Sequence, residues 1–247
     1  MILTDVAMIA AETSRSSVYL QALVRNQMPP NYVLVLKNSS DNALPGQPAK
    51  TLVSSTNARI EETDECWSEA NFDRGESVIG LVEKYHISHQ IASTDNINDL
   101  SVVALIKHRP EPVFIYSGYG GVLLKDDILA TGKYFLHVHG GYLPDYKGST
   151  TNYYSLIEEK TLGASALFLN EKIDSGPVLL RRKFPAPMNR LEIDHAYDSA
   201  ARAKVLIETL ESYVRHGKWK CDIDMNTGGE TYYIIHPLLK HLAILGN

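Results

Sequence analysis

The amino-acid sequence predicts an α/β fold, namely a Rossmann-like doubly wound, mostly parallel sheet with a short C-terminal extension. Three observations predict it. Residues 6–11 form a short apolar run of the kind that makes a strand buried on both faces. A serine-rich loop and a stretch with helical spacing at 18–23 follow, and residues 32–36 form a second apolar run. This strand–helix–strand order favours a parallel sheet.

The same alternation continues after residue 72. Apolar runs predict further strands at 87–92, 113–116, 134–138, 163–169, 177–184 and 232–235. Apolar residues at helical spacing predict helices at 75–85, 100–104, 125–129, from Ser149–Thr151 onward, at 191–214 and through Leu242. Serines are expected to cap the first helix, and Ser149, Thr150 and Thr151 are three possible caps of the helix that begins there. Pro110 is expected to end the helix before it.

The domain organisation follows from these elements. Residues 1–215 are predicted to form the catalytic domain, and 216–247 a short extension that is apolar enough to pack on a partner subunit in a homodimer. Residues 38–72 combine Pro, Gly, Ser and Asn with little periodicity, which predicts a long loop.

Composition excludes several classes of function. The 247 residues are 44% hydrophobic, enough to bury a core, and a net charge of -5 provides no basic surface for nucleic acid. Two cysteines do not make a disulfide framework. The start of the chain lacks a secretion signal, and no apolar run approaches the ~20 residues that span a bilayer. We therefore expect a soluble cytoplasmic protein that binds neither nucleic acid nor membrane.

Chemistry-bearing residues gather at the end of one predicted strand. Side chains alternate along a strand, so His137 and His139 face the same side. They lie at the carboxyl end of the strand, where open α/β sheets bind ligands, and Gly140 and Gly141 allow a sharp turn there. Asp174 is predicted in the turn between two later strands. An imidazole with a carboxylate partner is suited to proton transfer near neutral pH.

These segments resemble a known family. The folate-dependent formyltransferases carry Asn-x-His-x-Ser-Leu-Leu-Pro-x-Tyr-Arg-Gly and, later, Asp-x-Gly-Pro followed by aliphatic residues. Residues 137–148 and 173–180 are similar to these two motifs, and together the motifs are specific. Residues 121–124 resemble the family's pterin-cradling loop, 163–166 the strand before its aspartate loop, and 231–233 its threonine-tyrosine segment after the core.

The resemblance implies roles for individual residues. His139 matches the histidine that assists formyl transfer and polarises the formyl oxygen, and Asp174 matches the aspartate that orients it and relays protons. His137 stands where the family has the asparagine donor, and Gly141 where it has serine; His137 is included among the predicted catalytic residues. Cofactor binding is predicted for Gly121, Val122, Leu123 and Gly141, and substrate binding for Tyr146, Lys147, Tyr232 and Tyr233.

The implied function is formyl transfer from N10-formyltetrahydrofolate, as co-substrate and without a metal, to a small-molecule amine. The size of the chain and its short tail resemble the sugar formyltransferases of surface-polysaccharide pathways, so a nucleotide-activated amino sugar is the predicted acceptor. The histidine in place of asparagine and the glycine in place of serine leave open an active enzyme with a substituted oxyanion donor, altered cofactor or substrate use, or lost catalysis.

Three other functions stay open at this point. One is a metal-dependent hydrolase or deacylase in which His137, His139 and Asp174 are the ligands. The second is a formyl-folate hydrolase that uses water as acceptor. The third is a non-catalytic folate-binding module.

Overall fold

The computed structural model describes two compact units. Described residues are 3–37, 67, 71–73, 75–221 and 226–246. One unit consists of residues 1–59 and 72–134, and the other of residues 60–71 and 135–247. The predicted 216–247 extension belongs to the second unit, and its boundary at 215 stays a prediction. The predicted 38–72 loop lies outside the described residues except at Trp67, Asn71 and Phe72.

Four parallel strands form the centre of the first unit. They are β1 (Leu3–Ala11), β2 (Pro30–Leu36), β3 (His89–Ile91) and β4 (Val113–Ser117). Their spatial order is β3-β2-β1-β4, and each neighbouring pair is parallel. All five residues of β4 are buried, as are the last six of β1. The continuous apolar runs in the sequence therefore belong to strands covered on both faces, as predicted.

The helices of the first unit are α1 (Ser14–Arg25), α2 (Val78–Lys84), α3 (Leu100–His108) and α4 (Asp126–Leu129). The prediction that a serine caps α1 is wrong. The capping residue is Thr13, whose Oγ1 accepts the hydrogen bond from the Ser16 N–H. Ser77 and Asp99 cap α2 and α3 in the same way. Helix α3 ends before Pro110, as the sequence predicts.

The second unit holds the other strands. Strands β5 (Tyr134–His139), β7 (Thr161–Phe168) and β8 (Val178–Pro185) pair antiparallel in that order. Strands β6 (Tyr146–Gly148) and β9 (Glu230–Tyr232) pair parallel in a separate two-stranded sheet. The sequence did not predict β6, because three residues carry too little alternation to be recognised.

The helices of the second unit are α5 (Thr151–Glu158), α6 (Asp198–His216) and α7 (Pro237–Leu245). A 3₁₀ turn and a π-helical turn precede α6 and account for the early start of the helix predicted at 191. Thr150 precedes α5 with a φ of 53°, and its side chain makes no capping bond. The predicted cap is wrong, because Thr150 Oγ1 accepts a hydrogen bond from the Ile235 N–H instead.

The predicted fold class is confirmed. Seven described strands belong to a mixed, mostly parallel sheet with helices around it, as in a Rossmann-like α/β fold. Among the described helices, none combines the length and the apolar character needed to cross a membrane.

Candidate active site

A buried histidine and a buried aspartate face each other in the second unit. His139 is the last residue of β5 and Asp174 lies in the loop between β7 and β8, and both are less than one-tenth exposed. His139 Nδ1 lies 3.4 Å from Asp174 Oδ2. His139 Nε2 lies 2.7 Å from the carbonyl oxygen of Tyr146. The structure therefore brings together the two predicted catalytic residues and holds the imidazole at both nitrogens.

The partners of His139 assign its tautomer. A carbonyl oxygen only accepts, so the 2.7 Å contact assigns a hydrogen to Nε2. The proton that titrates is then the one on Nδ1, which faces Asp174. Burial lowers the pKa of His139, while the Asp174 carboxylate raises it and the nearby Arg202 guanidinium lowers it, with a net direction downward. Burial therefore favours the neutral imidazole, while the Asp174 carboxylate beside Nδ1 favours the protonated form.

The Asp174 carboxylate is held by the backbone. Gly148, at the end of β6, donates its N–H to Asp174 Oδ2 over 2.8 Å. Asp174 itself has a φ of 49°, in the left-handed region that aspartate tolerates better than most residues. The predicted turn between β7 and β8 is confirmed, and its conformation directs the carboxylate toward His139.

Buried hydroxyls fix the loop after His139. Ser165, which pairs with His139 across β5 and β7, donates to the Gly141 carbonyl over 2.7 Å and accepts the Leu143 N–H over 2.9 Å. Thr151 Oγ1 donates to the Gly140 carbonyl. Sequence reasoning missed Ser165 and Thr151 as site residues, although Ser165 lies in the 163–166 segment of the family resemblance. These bonds satisfy backbone carbonyls that would otherwise be buried without partners.

Neighbouring atoms lie so close to Gly141 that only a glycine fits at this position. A Cβ atom at this position would lie 2.6 Å from His139 Nε2, 2.6 Å from the Tyr146 carbonyl oxygen and 2.8 Å from Thr151 Oγ1. Real Cβ atoms do not approach so closely, so the bond between His139 and Tyr146 occupies the space of a side chain here. The serine of the family motif does not fit this arrangement.

His137 is half-buried on β5 and pairs with Leu167 of β7. Strand alternation places its side chain on the same side of β5 as that of His139. Within the described ranges, no three His, Cys, Asp or Glu side chains are grouped closely enough to hold a metal ion. The metal-dependent alternative therefore lacks the ligand set of His137, His139 and Asp174.

The residues predicted to bind substrate differ in their surroundings. Tyr146 stacks on Tyr232 at a centroid distance of 5.4 Å and donates its hydroxyl to Glu158 over 2.9 Å. Burial raises the pKa of both tyrosines. Tyr233 is 80% exposed. Lys147 Nζ is buried against backbone carbonyls at the start of the 226–232 segment. Their roles toward a substrate stay predictions.

The predicted folate loop is in the first unit. Gly121 has a φ of 79°, a conformation that favours glycine. Val122 and Leu123 are 38% and 59% exposed. Asn98, which the sequence analysis did not single out, donates its amide to the Leu123 carbonyl over 2.8 Å. The loop is thus exposed to solvent and bonded to a side chain from another segment.

Comparison with known proteins supports the resemblance. Methionyl-tRNA formyltransferase of Roseiflexus sp. (strain RS-1) is 24% identical over 127 residues, which are 51% of this chain and 39% of that protein. The chain spans less than half the length of the curated relatives it matches.

Solved structures share the fold. A sugar N-formyltransferase from a Shewanella species superposes with a TM-score of 0.57 at 13% identity, covering 97% of this chain and 86% of that one. WlaRD, a sugar 3N-formyltransferase crystallised with dTDP and 5-N-formyl-THF, gives a TM-score of 0.54 at 13% identity, covering 94% of this chain and 70% of that one.

A family model described as formyl transferase matches residues 6–205, most of the chain. The match includes β5 with its two histidines and the loop that carries Asp174. The chain therefore belongs to the formyl transferase family of enzymes.

Proposed function

We propose that the protein transfers a formyl group from N10-formyltetrahydrofolate to the amine of a small-molecule acceptor. The observation that carries the proposal is the buried His139–Asp174 pair at the end of β5 in a chain of this family. In such a transfer the acceptor nitrogen forms a bond to the formyl carbon and the folate nitrogen loses its bond to it. One proton must leave the first nitrogen and one must reach the second.

The pair is suited to that proton movement. His139 keeps Nε2–H on the Tyr146 carbonyl, so its ring orientation is the same before and after it takes up a proton at Nδ1. The imidazolium that results lies beside the Asp174 carboxylate, which stabilises the added charge. His139 acts first as base and then as acid, a role whose contribution is typically 10²–10⁴-fold in rate.

His137 is proposed as the donor to the oxyanion that forms on the formyl carbon. A neutral imidazole carries one N–H, and an imidazolium carries two, so either form replaces the amide donor of the family's asparagine. Positioned donors of this kind are worth about 10²–10³ in kcat. Within the first unit, folate contacts are proposed for Gly121, Val122 and Leu123, which is supported by the exposure of Val122 and Leu123.

For the acceptor we propose a nucleotide-activated amino sugar. The solved structures that share the fold include two sugar N-formyltransferases, of which this chain covers 86% and 70%, the second crystallised with dTDP. Tyr233, with 80% of its surface exposed, is available to contact the nucleotide or the sugar. The net charge of -5 disfavours tRNA, but methionyl-tRNA formyltransferases are among the curated relatives and tRNA is the rival acceptor.

The test is a direct transfer assay. The protein is incubated with N10-formyltetrahydrofolate and a panel of dTDP-, UDP- and GDP-linked amino sugars, methionyl-tRNA, or no amine, with Asp174→Asn as the matched inactive control. A mass gain of one formyl group on an amino sugar supports the proposal. Formylation of methionyl-tRNA alone would replace the acceptor, formate release without an amine would indicate a hydrolase, and intact formyl-folate in every reaction would overturn the enzyme assignment.

Cytoplasmic location, a role in polysaccharide biosynthesis and a homodimer complete the proposal. Leu238, Leu239 and Leu242 of α7 are 64%, 39% and 57% exposed, which supports a subunit contact through the 216–247 extension. Sedimentation equilibrium of the wild type and of Leu242→Glu tests the dimer. A monomeric wild type at micromolar concentration would exclude it.

A further inference from the structure

A buried asparagine holds the loop that carries Asp174. Asn226 is 5% exposed. Its Nδ2 donates one hydrogen bond to the Asp174 carbonyl and a second to the Gly176 carbonyl, each over 2.8 Å. Both amide hydrogens are therefore used on either side of one loop, two residues apart. Asn226 is far from this loop in the sequence, so only the fold brings the two into contact.

The loop needs an external support. Asp174 has a left-handed backbone, with a φ of 49°. Gly176 packs so closely on the Phe168 carbonyl oxygen that a Cβ atom would overlap it. A left-handed aspartate costs backbone energy, which surrounding contacts must offset. The two bonds from Asn226 supply such contacts on both sides of Ser175.

Lys147 connects Asn226 to the other side of the carboxylate. Its Nζ donates to the carbonyls of Asn226 and Gly228, over 3.2 and 2.7 Å. The next residue, Gly148, donates its N–H to Asp174 Oδ2. The contacts form a closed ring, in which Asp174 is held at its backbone by Asn226 and at its carboxylate by Gly148, and Lys147 joins the two.

The Asn226 side chain contributes through its two N–H donors and not through its amide oxygen. Its Oδ1 is buried and has no hydrogen-bond partner in the described part of the chain. A buried acceptor without a partner is costly, so the gain must come from the two donated bonds. An oxygen in place of Nδ2 would face two carbonyl oxygens, and an apolar side chain would leave those carbonyls without a donor.

We propose that Asn226 is a positioning residue for formyl transfer, which sets the distance between the Asp174 carboxylate and His139 Nδ1. The inference rests on the proposed function. Charged groups that face His139 from the elements around it are Asp174 in the β7–β8 loop and Arg202 with Asp198 on α6. Asn226 is bonded to the first of these, through the Asp174 carbonyl.

The experiment compares two buried polar side chains of the second unit. Asn226→Leu removes the amide but keeps the branching and the number of side-chain heavy atoms, with Asn226→Ala as the smaller variant if the leucine does not fold. The matched control is Thr209→Val on α6, which removes a buried hydroxyl bonded to the Val205 carbonyl over 2.6 Å. For each protein we measure kcat, KM, thermal unfolding and the pKa of His139 by ¹⁵N NMR of labelled histidine.

The expected result is specific to Asn226. Its variants should lower kcat about ten- to a hundredfold with little change in KM, since a misplacement near 1 Å costs about that much. The His139 pKa should fall by about half a unit or more, because the carboxylate that raises it moves away. Thr209→Val should lower stability alone. Unchanged kcat and His139 pKa in folded Asn226 variants would overturn the inference.

The NMR measurement separates this inference from the proposed function. If the wild type transfers no formyl group to any acceptor, the proposed function fails, yet the His139 pKa still reports whether Asn226 places the carboxylate. If the wild type is active but the Asn226 variants keep the wild-type kcat and His139 pKa, the positioning role is wrong and the proposed function stands.

Discussion

Replacing Gly141 by serine, the residue of the family motif, should impair this protein. The new Cβ atom would lie 2.6 Å from both His139 Nε2 and the Tyr146 carbonyl oxygen. Ordinary contact begins at 3.4 Å, so the imidazole or the carbonyl must move by about 0.8 Å, and a misplacement near 1 Å costs about 10²-fold in rate. We expect kcat of Gly141→Ser to fall about ten- to a hundredfold.

Stability should fall as well. Extra atoms in a well-packed site typically cost about 1–3 kcal/mol, and each kcal/mol lowers Tm by roughly 2–4 °C in a chain of this size. Gly141→Ala isolates the methyl group from the hydroxyl and should show most of both effects. Gly75→Ala is the matched control, because its Cβ atom would be at an ordinary 3.4 Å from Asp73 Oδ1.

The assay is formyl transfer under saturating co-substrates, followed beside thermal unfolding of the same preparations. A Gly141→Ser protein with wild-type kcat and Tm would refute the reasoning, since it would show that the space beside His139 is free. A loss of Tm with kcat unchanged would show that the backbone of the loop yields while the imidazole stays in place.

Three further predictions concern the same site. Asp174→Asn should lower kcat about 10²–10⁴-fold, because the amide cannot stabilise the proton on His139 Nδ1, with activity assayed on folded protein. Burial lowers the pKa of His139 below its ordinary value of about 6.5, so the unfolded chain binds a proton that the folded chain does not, and the free energy of unfolding should decrease as pH falls through that value. Urea unfolding from pH 8 to 5 should show this slope, and His139→Gln should flatten it. His137→Asn, which restores the family donor, should keep kcat within about tenfold.

Each of these has an outcome that would count against it. Wild-type kcat in Asp174→Asn would remove the carboxylate from the mechanism. A pH slope of unfolding that is the same in His139→Gln would assign it to other groups. Loss of transfer in His137→Asn would mean that the imidazole does more than the family's asparagine.

The fold was predictable where one short pattern determines one element. The buried runs of β1, β2 and β4 alternate with helices α1 and α3, and the proline rule located the end of α3. Elements that depend on tertiary contacts were not predictable. Strand β6 exists because β9, more than eighty residues later, pairs with it. Thr150 failed as a cap because its hydroxyl accepts the Ile235 N–H.

The candidate site divides in the same way. His139 and Asp174 were predictable because two motifs at a set spacing contain them, and the structure places them 3.4 Å apart. Their supports were not predicted as site residues: Ser165 lies in the 163–166 segment of the family resemblance, but that segment does not distinguish the serine, and Asn226 lies in no recognised motif. A serine in a strand and an asparagine near a glycine pair are ordinary residues, and their importance comes from the carbonyls that the fold brings to them.

Residues 226–232 support the candidate site, although the sequence analysis placed them in an extension outside the predicted catalytic domain. The oxygen that holds His139 Nε2 belongs to Tyr146, the first residue of β6, and β6 is paired along its length with β9. The carboxylate that faces Nδ1 belongs to a loop held by Asn226. Both nitrogens of the imidazole are therefore positioned through residues 226–232. Because those contacts are made within the second unit, the segment supports the histidine irrespective of any contact with another subunit.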